Sequence, residues 1–117
     1  MAEIRVDGGQ VVVQLSLTEK IGALHGDLHF PPSAVKAVRV VDKPFGEIRG
    51  IRSPGTWVPG VVALGTWRRR EGRDFVAVYR SKRGIVVDVD ANQVNYQRII
   101  LSTNDPDGAC NLLTSAG

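Results

Sequence analysis

The chain has 117 residues, 43% hydrophobic and 23% charged, which are ordinary values for a single globular domain spanning 1–117 and too apolar for a disordered chain. Fifteen Lys and Arg against twelve Asp and Glu leave a formal charge of +3, a mild excess that favours acidic surfaces without demanding them. One cysteine, Cys110, excludes an intrachain disulfide, and no segment approaches the ~20 apolar residues of a membrane helix, so a soluble cytoplasmic protein is expected.

In chain order, Ile4 and Val6 alternate with Arg5 and Asp7, Asp7-Gly8-Gly9 supplies a turn, and Val11, Val13 and Leu15 continue the period of two, which predicts an opening hairpin. Ser16 and Glu19 have capping-box spacing, and Leu17, Ile21 and Leu24 then fall on one helical face, with Gly26 ending the helix. Asp27 to Phe30 reads as extended, Pro31-Pro32 breaks it, and Ser33 to Val41 reads as the next strand, its first residues turned. From Asp42 to Gly60 proline, glycine and arginine interrupt every pattern, so a long functional or mobile loop is expected there.

The stretch from Gly60 to Leu101 reads as a four-strand antiparallel meander. With Glu71-Gly72 as its first two-residue turn, Arg70 faces Arg73, Arg69 faces Asp74, Arg68 faces Phe75 and Trp67 faces Val76. Carried through Ser81-Lys82-Arg83-Gly84, that register sets Val78 against Val87 and Val76 against Val89. It buries Trp67, Val76, Val78, Ile85, Val87 and Val89 on one face. The other face carries Leu64, Phe75, Tyr79 and Val86 as an outward apolar stripe fit to meet a partner. After the last strand, Gln97 to Ser102, Asp105 as N-cap and Pro106 at the first helical position start an amphipathic helix whose stripe is Ala109, Leu112, Leu113 and Ala116.

This order of strands, brief helix, strands and closing helix resembles a pleckstrin-homology-like (PH-like) β-barrel, whose last helix covers an open end. The words resemble it too. Leu15 to Leu24, Pro-Ser-Ala-Val at 32–35 with Val38 and Val40-Val41, Arg-Ser-Pro-Gly-Thr at 52–56, Pro59-Gly60-Val61, Ala63-Leu64-Gly65-Thr66 and Asp74 to Val78 look like the small stand-alone PH-like proteins of actinobacteria. The resemblance implies a mainly β fold of two packed antiparallel sheets and no catalytic group. The basic strand-loop motif of the phosphoinositide-binding eukaryotic members is not recognisable.

Candidate chemistry is sparse. His25 and His29 have zinc spacing, but Gly26 breaks the face and no third ligand is at hand. Cys110 lies in the last helix without a base, the serines lack a Gly-x-Ser-x-Gly turn, and Asp88 and Asp90 are explained by pairing with Arg68. No catalytic, metal or cofactor site is therefore expected, and the chain reads as a non-enzymatic binding or oligomerisation module. Its candidate interface is Trp57, Leu64, Phe75, Tyr79 and Val86, and its partner is itself or another protein. The alternative is a peripheral binder of anionic phospholipid head groups through Arg49, Arg52, Arg68, Arg70 and Arg73. Two separated basic patches do not make a nucleic-acid stripe. An enzyme remains a further alternative only if His25 or His29 meets Cys110 or an acid.

Overall fold

Nine strands, three α-helices and two 3₁₀ turns account for the fold in the computed structural model, which describes residues 1–116 and the side chains of residues 1–115. The first sheet has three strands, β1 (Glu3–Asp7), β2 (Gln10–Gln14) and β3 (Leu28–Phe30), in that order. The second has six, β4 (Val35–Val41), β5 (Ile51–Val58), β6 (Val62–Arg69), β7 (Gly72–Tyr79), β8 (Gly84–Val89) and β9 (Arg98–Ser102), ordered β4-β8-β9-β7-β6-β5. The architecture is mainly β, as expected. Among the described residues no strand of one sheet pairs with the other, so the sheets do not join into a closed barrel.

Local signals placed several elements correctly. Gly8 and Gly9, both at positive φ, turn β1 into β2. Helix α1 (Leu17–Ala23) carries the full capping box: Glu19 N–H donates to Ser16 Oγ at 3.2 Å and Ser16 N–H to the Glu19 carboxylate at 2.8 Å. It ends at Leu24 in the left-handed region, two residues before Gly26. Helix α3 (Pro106–Ala116) starts where Asp105 accepts the Gly108 N–H at 3.0 Å.

The meander is corrected. β9 is inserted between β7 and β8, parallel to the first and antiparallel to the second. The Arg80–Arg83 turn thus spans two strand spacings, on the order of 10 Å, instead of one. Ser102 closes the end of that slot: its hydroxyl accepts the Tyr79 N–H at 3.0 Å and donates to Lys82 O at 3.4 Å. The β6–β7 turn is Arg70-Glu71, so Trp67 pairs with Asp74 and Arg68 with Arg73, a slip of two residues from the expected register. A slip of two leaves every side chain on its expected face, but an interposed strand reverses the parity of β8 against β7. Phe75, Ile99 and Val87 therefore form one inner row and Val76, Ile100 and Val86 one outer row.

Both faces of the six-stranded sheet are covered. The inner core packs Phe75, Ala77, Ile85, Val87, Ile99 and Leu101 against Val11, Val13, Leu28 and Phe30 of the small sheet. Three strands cannot span six, and the helices fill the margins: α1 lies against β5 and β6, α3 against β4, β8 and β1. The outer face holds Ala63, Trp67, Val76, Val78, Val86 and Ile100 under Val41, Phe45 and Ile48. Those last two come from the segment expected to be one loop, which instead forms a 3₁₀ turn (Pro44–Glu47) and the edge strand β5. The register of β5 shifts between Arg52 and Gly55, around Pro54, whose missing N–H an edge tolerates. Gly55 and Gly65 face each other there so closely that a Cβ on either would lie 2.2 or 2.4 Å from the opposite backbone oxygen.

Candidate binding surfaces

The expected stripe is not a surface. Leu64, Phe75 and Val86 are 4%, 0% and 0% exposed because the small sheet, α1 and the Phe45–Ile48 segment cover both sides of their sheet. Tyr79 turns towards α1, and its hydroxyl donates to the buried Glu19 carboxylate at 2.9 Å. Burial first, and that hydrogen bond second, raise its pKa beyond the ordinary phenol range. Glu19 thus caps the helix and anchors it to the sheet, a double role that the capping-box spacing did not disclose. Only Trp57 of the five is exposed.

The exposed apolar residues lie elsewhere and are concentrated. Of nine large hydrophobic residues open to solvent among the described residues, Leu17, Ile21 and Leu24 are on α1 and its C-cap, and Ile51, Trp57, Val58 and Val61 are on β5 and the turn after it. The two elements touch, with Thr56 Oγ1 donating to Gly22 O at 2.7 Å. The stripe Leu17, Ile21, Leu24 follows helical period but faces water, while Glu19 and Ala23 face the core. Helical spacing gives a stripe and leaves its direction open.

The arginines divide. Arg49 is occupied: its guanidinium donates to both oxygens of the fully buried Asp74, at 2.7 and 3.2 Å. This replaces the expected Arg69–Asp74 pair, and Arg69 instead bridges Glu71 and the Gln97 side chain. Arg68 donates to Ser53 O at 3.1 Å, and Arg73 to Asn95 O at 2.8 Å while lying 4.6 Å over the Tyr96 ring. With Arg70 they line a cleft of about 380 Å³ at the β6–β7 turn. Four arginines there meet one glutamate, a surplus of three equal to the formal charge of the whole chain. Arg52 lies apart, on the edge strand, with no ion pair among the described residues. Asp88 pairs with Arg98 at 3.4 Å, and Asp90 caps the short helix α2 (Ala91–Val94), so neither belongs to Arg68.

His25 donates from Nδ1 to Gly26 O at 2.7 Å and packs against Phe75 and Tyr96, whereas Cys110 Sγ lies 3.9 Å from Val38 O. Neither is the other's partner, and His29 is exposed on β3. No group of three or more metal-ligating side chains gathers among the described residues, and no helix there is long and apolar enough to cross a membrane. No family model, no curated protein and no solved structure matches the chain.

Proposed function

We propose that the chain is a PH-like, non-enzymatic binding module that works in the cytoplasm by associating with a second copy of itself through α1 and the β5 edge. One observation carries this reading: of the nine large hydrophobic residues exposed among the described residues, seven lie on those two touching elements or within three residues of their ends. At exposures from 47% to 77% their accessible surface, summed over both sides of the β5 edge, is on the order of 800 Å², the scale of what one partner contributes to a standard interface. The element order with its closing helix α3 supports the PH-like assignment.

Light scattering after size exclusion across a concentration series tests the association. The mass should rise with concentration, and Ile21→Asp, at a position 66% exposed, should give a monomer with an unchanged melting temperature. A parent chain that stays monomeric up to its solubility limit ends the reading.

A second reading is favoured by the charge surplus in the arginine cleft: contact with an anionic lipid surface through Arg68, Arg70 and Arg73. It predicts sedimentation with anionic liposomes that declines as salt rises and is weakened by Arg70→Glu. Equal sedimentation with neutral liposomes would end it.

A further inference from the structure

On the outer face, where β5 passes the Phe45–Ile48 segment, a groove of about 590 Å³ opens between Trp57, Phe45 and Ile48 above a floor formed by Trp67. That volume is in the range of small-molecule sites, and the lining is aromatic and aliphatic apart from one charged side chain, Arg52. No acidic residue lines it. The nearby carboxylates are occupied: Asp74 holds Arg49, and Glu47 holds Arg39, whose guanidinium keeps the Glu47 carboxyl below its ordinary value. Arg52 is therefore an uncompensated cation at an apolar groove.

We propose that this groove binds a small amphipathic carboxylate, its alkyl or aryl body between Trp57 and Trp67 and its head on the Arg52 guanidinium. One guanidinium matches one carboxylate by donating two parallel hydrogen bonds to its oxygens, whereas a multiply charged phosphate finds more cations in the arginine cleft. An extended peptide added to the β5 edge fits less well, because the bulge around Pro54 interrupts the ladder beside the groove. The groove shares Ile51 and Trp57 with the proposed self-association surface but is separable from it, since Ile21 lies outside the groove and Arg52 outside the α1 stripe.

The test uses dodecanoate below its micelle concentration, with dodecanol and dodecyltrimethylammonium as neutral and cationic counterparts. Trp57, 49% exposed in the wall, makes intrinsic fluorescence a direct readout, and calorimetry provides a second. Dodecanoate should bind saturably and about tenfold more tightly than the cationic amphiphile at low salt. Arg52→Gln should abolish that preference, and Trp57→Ala should weaken both ligands, with urea midpoints confirming that the variants fold. Ile21→Asp should bind dodecanoate like the parent, so loss of self-association and loss of the ligand are read separately. No saturable binding, a preference surviving Arg52→Gln, or equal binding of anion and cation would overturn the proposal.

Discussion

Replacing Arg49 by methionine keeps most of the stem volume and removes the only donor to the Asp74 carboxylate among the described residues. The carboxylate is 0% exposed and both its oxygens accept from Arg49 alone, so the variant leaves an uncompensated charge in the sheet. Breaking a buried pair this way costs ~3–5 kcal/mol. The Arg49 side chain is itself 31% exposed, and water reaching that end places the expected loss near the lower limit, about 3 kcal/mol. At ~4 °C per kcal/mol for a domain of this size, the melting temperature should fall by roughly 12 °C. Urea unfolding followed by circular dichroism measures the loss directly. The double variant Arg49→Met/Asp74→Leu removes the stranded charge and should recover most of it, so the cycle reports a coupling of roughly 2–3 kcal/mol. A single variant within about 1 kcal/mol of the parent, together with weakened liposome binding, would refute this account and return Arg49 to the ligand-binding arginines.

Ile100 is at the centre of the outer row, and Ile100→Ala should cost about 3–4 kcal/mol by urea unfolding, against less than 1 kcal/mol for the exposed Leu17→Ala. The Tyr79 phenol has its pKa raised by burial and by the Glu19 hydrogen bond. Its contribution to stability is therefore complete below the unfolded value near 10 and is lost as pH rises towards the folded value. An alkaline absorbance titration should find this phenolate appearing only with unfolding, and Tyr79→Phe should remove that delayed step. Asp90 is held below its ordinary value first by the Gln93 side-chain hydrogen bond and then by the Asn92 N–H. Its stabilising effect is present above the unfolded value near 4 and lost as pH falls through the lower folded one. Gln93→Ala should move the Asp90 carboxyl resonance titration upward, and an unmoved midpoint would contradict the bond.

The elements legible in the sequence were those fixed by neighbours along the chain: the Gly8-Gly9 turn, the Ser16–Glu19 capping box, and Asp105-Pro106 at the head of α3. What escaped depends on residues far apart. Nothing within β7 or β8 announces that Arg98–Ser102 will lie between them. A signal was nevertheless present, because Phe75–Val78, Ile85–Val87 and Ile99–Leu101 are unbroken apolar runs, the mark of strands covered on both faces. Read as alternating, they yielded an outward stripe of Leu64, Phe75 and Val86 that is core. The proline and glycine of β5 hid an edge strand, whose bulge makes both residues compatible with pairing. Trp57 alone kept its expected exposure, since the same irregular stretch that masked the strand also lies at the rim.

The position of β9 bears on how the large sheet holds together. Among the described residues the β4–β8 pair reaches the β7-β6-β5 half of its sheet only through this strand, the ninth in chain order. Without β9, the facing edges of β7 and β8 would be left with open hydrogen-bonding groups beside an empty slot, lined by the aliphatic runs of those two strands. Closing that slot joins β9 to β8 across a short connection and to β7 across a longer one, and an edge left open there is prone to pair with another chain. This strand therefore acts as a keystone: a substitution that unseats it would open both halves of the sheet at once.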